Sequence, residues 1–432
     1  MDQNKRSQQQ APTYKWYVLS MLTVVSVFAF IDRQLIIILQ EPIKAELGLT
    51  DAQLGFISGL AFSILYVIVV IPIARLADRS SRKNIITISL SIWSLITALT
   101  GLAATYLQLT LARMGVGMGE AGATPASHSI IADYFPQEQR SIAYAIHGLG
   151  VYIGLLIGFG LGGILEQTYG WRAAFYIIGI PGLLFSLIFY LTVIEPVRLP
   201  STVDDQHSSS LPTVTEVFKF LISKQTFIYM ALAAILHTFV GSAFANWMPP
   251  LLSRVYGMGT VEIGLWLALA IGVCGAAGTY IGGYLGDKLS KKDIRWYLWL
   301  PTISIILSLP FALLLLLTTH KYVTLCAYLI PNITYAIFLG PTYALVQSMV
   351  GSRMRAISSA IIMVLISLFG MGLGPYLTGA LSDYLTPVYG DQAIRWSLLM
   401  IAGLDMIAVF FFYKASITIK RDISPVTGTS SY

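Results

Sequence analysis

Four charged side chains stand in stretches otherwise too apolar to accommodate them. Asp32 and Arg33 interrupt an apolar run over roughly 16–39, and Arg113 and Glu120 interrupt another over 106–131. Placing a charge in hydrocarbon costs at least ~2.5 kcal/mol, so each is a functional hypothesis by default. Arg113 and Glu120 are seven residues apart, two helical turns, and share a face. At ~1.5 Å per residue, with the first run directed outward and the second inward, Arg33 and Arg113 lie about 9 and 10 Å below the outer end. Glu120 lies one to two turns deeper.

Desolvation favours the neutral carboxyl of Glu120 and a nearby guanidinium favours the carboxylate, so its two states approach each other in energy. Ionised Glu120 would pair with Arg33 or Arg113. Protonated, it would release a guanidinium to grip a phosphate or carboxylate with two hydrogen bonds. Arginine keeps its proton throughout, so Glu120, assisted by Asp32, is the expected proton carrier. A permanent ion pair holding two helices together is the alternative.

The elements that must position these groups follow from composition. The 432 residues are 56% hydrophobic and 11% charged, with a mean hydropathy of +0.73. Soluble domains carry ~25% charged residues, so the chain could not cover a core with polar surface. That excludes a soluble enzyme, a nucleic-acid binder and a disordered scaffold. The start does not resemble a secretory signal peptide. Cys274 and Cys326 fall inside apolar runs and are expected to be small buried hydrophobes.

Twelve spans of ~20 apolar residues are expected: roughly 16–39, 54–77, 83–104, 106–131, 141–165, 172–194, 226–253, 261–286, 296–317, 322–349, 355–382 and 393–414. They read as helices, giving an all-α polytopic membrane protein, because lipid leaves no other partner for the backbone and barrel-type alternation is absent. Twelve spans put both termini on one side. Twenty of the 27 Lys and Arg fall in loops on that side and five on the other, which makes it the cytoplasmic side of a plasma membrane, a bacterial inner membrane being expected. The net charge of +6 then reports topology.

The domain reading is an N-terminal tail over 1–15, a six-helix bundle over 16–194, a polar cytoplasmic linker over 195–225, a second bundle over 226–414 and a C-terminal tail over 415–432. The halves repeat each other. Leu76-Ala77-Asp78-Arg79-Ser80-Ser81-Arg82-Lys83 is echoed by Leu285-Gly286-Asp287-Lys288-Leu289-Ser290-Lys291-Lys292, 209 residues later. Arg140-Ser141-Ile142-Ala143 is echoed by Arg355-Ala356-Ile357-Ser358. Two similar bodies rocking about a midplane site are what alternating access requires.

These motifs resemble those of the major facilitator superfamily over essentially the whole chain. The segment Ala74–Lys83 is similar to the family's signature between helices 2 and 3, with Ala74 and Ser81 in place of its glycines. The resemblance implies two six-helix bundles in pseudo-twofold arrangement, and it implies that Asp78, Arg79 and Arg82 latch the cytoplasmic ends of the halves. More narrowly the chain resembles the Spinster-type branch of lysolipid and sphingosine 1-phosphate transporters. The segments that carry this are Ile31-Asp32-Arg33-Gln34, Ala112-Arg113-Met114-Gly115-Val116-Gly117-Met118-Gly119-Glu120-Ala121 and Asp133-Tyr134-Phe135-Pro136. Gly154–Gly163 is similar to the superfamily's antiporter signature, with Phe159 where that motif has proline.

The helices of the second half expected to line a cavity, 226–253, 263–286, 322–349 and 356–382, contain no Asp, Glu, Lys or Arg. They offer Asn246, Trp247, Tyr335, Tyr343 and Met363, with Phe239, Phe338 and Met371. A charged wall facing an apolar one implies an amphiphile, its ionic head held by Arg33, Arg113 and Glu120 and its tail by the second half. The expected function is a proton-coupled secondary transporter of an anionic lipid-like substrate, acting as a monomer with no cofactor or metal. A passive facilitator or exporter of another amphiphilic anion or drug is the alternative, and a membrane-embedded lipid-modifying enzyme is the alternative of a different class.

Other motifs carry less. Gly117-x-Gly119-x-x-Gly122 fits a dinucleotide fingerprint by letters, but it lies in an apolar helix and reads as close helix packing. His128 and Asp133 would sit about 140° apart on a helix. Asn332-Ile333-Thr334 is a glycosylation sequon inside a span. His147 and His237 read as hydrogen-bonded packing residues, with a proton role left open. Asp405, mid-span, should be neutral or paired with a partner the sequence does not identify.

Overall fold

The computed structural model describes residues 13–196, 213–351 and 354–423, and every regular element among them is a helix. In chain order these are α1 Tyr14–Ile38, α2 Gln40–Leu47, α3 Asp51–Gly55, α4 Ala61–Arg79, α5 Arg82–Thr100, α6 Tyr106–Glu120, α7 Ala123–Tyr134 and α8 Gln137–Thr192. They continue as α9 Val214–Ile222, α10 Gln225–Tyr256, α11 Thr260–Leu267, α12 Gly275–Ser290, α13 Trp296–Leu317, α14 Lys321–Ala336 and α15 Leu339–Ser348. The last four are α16 Arg355–Leu365, α17 Leu373–Tyr389, α18 Ala393–Ala402 and α19 Leu404–Ile423.

Nine stretches among the described residues are long and apolar enough to cross a membrane. Two exceed one crossing: Gln137–Thr192 has 56 residues and Ile357–Asp422 has 66, against ~20 for a single pass. Each is interrupted by a glycine of positive φ, Gly170 at 81° and Gly390 at 53°. A side chain would be strained at both. A further apolar stretch is split into α6 and α7, each too short alone. Pro125, in the first turn of α7, has no N–H to offer the Ala121 carbonyl, so one helical hydrogen bond is missing at the break. The architecture is consistent with the twelve spans expected.

The helices gather into two units. The first comprises residues 13–196 together with Gly257–Gly272, and the second holds the other described residues. The early part of the expected eighth span therefore packs with the first unit, which sequence periodicity did not indicate. The reason is close approach: the Cα of Gly163 faces the Thr260 carbonyl, and that of Gly264 faces the Phe159 carbonyl, leaving no room for a Cβ.

Each unit has its own core. In the first, Leu22, Ile86, Trp93, Val116, Ile130 and Phe189 are buried together. In the second, Met230, Ala234, Ile305, Leu345, Ile362 and Phe412 do the same. Two boundaries differ from the sequence reading. The expected linker over 195–225 contains α9, started by a capping box between Thr213 and Glu216 and anchored by buried Val217 and Leu221. The expected tail beyond 414 continues as helix to Ile423, with Ala415 and Ile419 in the core. Polar residues at its exposed positions lower the average hydropathy without ending the apolar face. Its Asp422 accepts from the Thr226 backbone N–H and hydroxyl, both at 2.8 Å, satisfying a donor at the start of α10.

The cysteines are free, but Cys326 is exposed and Cys274 half-buried. This corrects the expectation that both are buried. The glycines of the nucleotide-like motif pack helices: Gly117 abuts the Phe62 backbone, Gly119 abuts Trp93 and Gly122 abuts Ser89. Asn332 lies within α14 and donates to the Tyr328 carbonyl at 2.8 Å.

A buried double ion pair in the first unit

Helix α1 reaches its position by lying close against α8. A Cβ at Gly154 would meet the Phe30 side chain and the Val27 carbonyl, and one at Gly158 would meet Gln34 and Ile31. The residues of α1 in contact are thus those flanking Asp32 and Arg33. Their opposite neighbours, α5 and α6, supply Thr97, Arg113 and Glu120, and α4 supplies Phe62 and Tyr66.

All four charged residues singled out in the sequence meet here, in two pairs. The Arg33 guanidinium donates to a single oxygen of Glu120, Nε to Oε2 at 2.7 Å and Nη2 to the same atom at 2.6 Å. Glu120 Oε1 is buried with no hydrogen-bond partner. The Arg33 side chain keeps 23% of its exposure while that of Glu120 keeps 1%. Arg113, almost fully buried, reaches Asp32 only at 3.5 Å, and its Nε has no partner. Asp32 is held instead by the Thr97 hydroxyl, which lies 2.7 Å from Oδ1.

The choice left open in the sequence is thereby resolved: Glu120 pairs with Arg33, and Arg113 turns to Asp32. Glu120 is also the last residue of α6.

Three aromatic side chains that sequence reasoning did not single out enclose Arg33. Its guanidinium lies 4.5 Å from the Phe62 ring, 4.9 Å from Phe30 and 5.6 Å from Tyr66. Cation–π contact of this kind is strongest when desolvated. The available signals were local: Phe62 and Tyr66 are four apart on one helical face, and Phe30 is three before Arg33. Thr97 had no such signal, being one small polar residue in an apolar helix.

With both carboxylates ionised the cluster is neutral. Each added proton leaves one net positive charge on guanidinium groups, one of them partly exposed. A site of this kind can take up a proton and an anion together.

The candidates of the second unit are differently placed. Trp247 is fully buried and its indole N–H donates to the Pro375 carbonyl at 2.8 Å. Asn246 donates to the Ser242 carbonyl of its own helix at 2.9 Å, and its Oδ1 has no partner. Tyr335, Tyr343 and Met363 are half-buried. Tyr335 lies against Gly241 and packs on His237, with ring centroids 5.0 Å apart. Phe239 and Phe338 are buried, and Met371 is exposed.

Of the latch residues, Arg79 is exposed at the end of α4, and the side chain of Asp78 lies outside the described residues. Arg82 is buried at the centre of a network. It donates to Asp133, to Glu195 Oε1 at 2.9 Å, to the Ser129 hydroxyl at 2.9 Å and to the Pro196 carbonyl at 3.2 Å. Glu195 Oε2 also accepts from the Ser81 hydroxyl at 2.9 Å and the Lys83 N–H at 2.8 Å. Burial alone would raise the Glu195 carboxyl, but the Lys83 N–H, Arg82 and Ser81 outweigh it and hold it below the usual carboxylate range. Asp133 is thus engaged by Arg82, while His128 packs on Tyr144 and His147. His147 Nδ1 has no hydrogen-bond partner, contrary to the expectation of a hydrogen-bonded residue. Asp405, unexplained in the sequence, lies 2.9 Å from His237 Nδ1.

The chain matches a family model described as the Major Facilitator Superfamily over residues 22–375. It is 32% identical over 418 residues, 95% of each chain, to a protein of Mycolicibacterium smegmatis named an MFS-type efflux pump. It is 30% identical over 301 residues to the probable galactarate/D-glucarate transporter of Bacillus subtilis, covering 64% of this chain and 66% of that one. Among solved structures it is similar to a bacterial homolog of the human lysosomal transporter Spinster in an inward-facing, unoccupied conformation. The TM-score is 0.86 at 29% identity, covering 95% of this chain and 99% of that one.

Proposed function

Since the chain belongs to the Major Facilitator Superfamily, and is therefore a multi-pass membrane transporter rather than an enzyme, we propose that it moves an amphiphilic, anionic, lipid-like substrate by proton-coupled alternating access. The observation that carries this reading is the asymmetric Arg33–Glu120 pair, with one carboxylate oxygen doubly bonded and the other buried without a partner. Protonating Glu120 removes the charge that occupies Arg33. The guanidinium, partly exposed within its aromatic surround, then takes the substrate's phosphate or carboxylate. Anion and proton binding favour each other, because each removes the charge that opposes the other.

Glu120 is the coupling group in this proposal, and Asp32, held by Thr97, assists. Arg113 supports Asp32 and adds positive potential. In the second unit Tyr343 and Met363 are the proposed apolar contacts, with Tyr335 and Asn246 at their polar margin, while Trp247 packs. Asp78, Arg79 and Arg82 act on conformational balance. In this reading both termini lie on the cytoplasmic side of a bacterial inner membrane, which the distribution of Lys and Arg supports. The protein works as a monomer.

A second reading, a hydrophilic organic acid, draws on the Bacillus subtilis relative named as a galactarate/D-glucarate transporter. The same arginine would hold its carboxylate, but an apolar second half would serve no purpose. Purified protein in liposomes with an imposed pH gradient separates the readings. Lysophospholipid accumulation is expected, abolished in Glu120→Gln while binding survives. Accumulation of glucarate and not of amphiphiles would replace the lipid reading. Gradient-driven accumulation by Glu120→Gln would remove Glu120 as the coupling group.

A further inference from the structure

We infer that the second unit holds its own proton-binding site, formed by His237 of α10 and Asp405 of α19. His237 Nδ1 and Asp405 Oδ1 are 2.9 Å apart. The side chains keep 4% and 9% of their exposure, so the bond is made inside the protein. His237 Nε2 is buried with no hydrogen-bond partner. With Nδ1–H donating to the carboxylate, the neutral ring presents a lone pair at Nε2, which is the atom open to a proton.

The centroids of Phe338 and Tyr335 lie 4.9 and 5.0 Å from that of His237, and Phe338 stands edge to face at 88°. Asp405 lies in the first turn of α19, where the helix end favours a negative charge.

The charge balance requires the proton. A carboxylate sealed in the membrane interior without a cation is costly, so the dyad is stable as imidazolium with carboxylate or as imidazole with carboxylic acid. Both forms hold one proton, and they are two microstates of a single site. Among the described residues no other charged side chain bonds either member. Helices α13 and α15 and the turn Ile366–Gly372 contain no Asp, Glu, Lys, Arg or His, and Tyr335 is the titratable group facing His237 from α14. The charged residues of the other elements packed on α10, such as Arg355, Asp383, Asp391 and Arg395, bond neither member of the dyad. Lys414, on α19, is exposed and nine residues from Asp405.

This site is independent of the Glu120 cluster and does not rest on the proposed substrate. Imidazole 15N resonances of the detergent-solubilised full chain, recorded from pH 9 to pH 5, test it, with His237→Gln assigning the signal. In the wild-type protein one proton is expected on the dyad, seen as imidazolium or as a neutral ring beside a protonated Asp405 carboxyl in 13C spectra. In Asp405→Asn the ring is expected to be neutral from pH 9 to pH 5. A neutral His237 ring beside an ionised Asp405 carboxylate from pH 9 to pH 5 in the wild type would overturn the inference, as would an imidazolium retained in Asp405→Asn. Should Asp405→Asn fail to fold, the wild-type titration alone decides. The Glu120→Gln transport assay reads a different unit, so failure there leaves this result standing.

Discussion

At Arg33 one guanidinium faces a carboxylate on one side and three aromatic rings on the other, and that sets what replacement should do. Arg33→Ala leaves Glu120 buried without its cation, so the carboxyl is protonated and the anion has lost its partner. A charge-assisted hydrogen bond contributes ~1.5–3 kcal/mol, so substrate binding should weaken about ten- to hundredfold. Arg33→Lys should recover part of that, since it restores charge without the planar fork or the stacking. Isothermal titration of the purified protein checks both. Equal affinity for wild type and Arg33→Ala would place the anion elsewhere, with Arg113 next in line. This part of the site was legible in the sequence because charge in an apolar run is conspicuous. Its pairing was not, since helical spacing places Glu120 within reach of both arginines and only the rotation of α1 against α6 chooses between them.

Helices carry that rotation, and α1 is set by the glycines of α8. Replacing Gly158 with Val puts a Cβ about 2.9 Å from that of Gln34 and about 3.1 Å from the Ile31 backbone. Overpacking of this kind costs ~1–3 kcal/mol. It should also displace Asp32 and Arg33 together, lowering both thermal stability and substrate affinity. Gly148→Val, at a position with open space around its Cα, should leave affinity unchanged. The clasp at the start of α5 responds to pH instead. Glu195 is held below its ordinary value, so its contribution is complete above the usual carboxylate range and is lost as pH falls through the lowered value. The Lys83 amide, which donates to Glu195, should lose hydrogen-exchange protection in that window. Glu195→Gln should flatten the response. Periodicity made the helices readable, but it did not show the break at Ala121–Gly122. There the deciding facts are a missing N–H at Pro125 and the absence of room beside Gly122.

The twofold repeat visible in the letters is not a repeat of interactions across the molecule. Arg82 in the first half gathers Asp133, Glu195, Ser129 and Pro196. In the matching segment of the second half, Lys288 reaches Tyr284, and Asp293 pairs with Arg295. The division into units is likewise unequal, since Gly257–Gly272 packs with the first. That has a consequence for how the protein is made. Translation delivers residues up to 207 long before residue 272 leaves the ribosome, so the glycine face around Gly163 waits uncovered while α9 and α10 are made. The first unit is therefore finished after the second has begun. A fragment ending at residue 207 should be degraded when expressed alone in cells and should persist when residues 208–432 are co-expressed, as pulse-chase labelling would show. Equal lifetimes in the two cases would mean that the first unit completes itself during insertion.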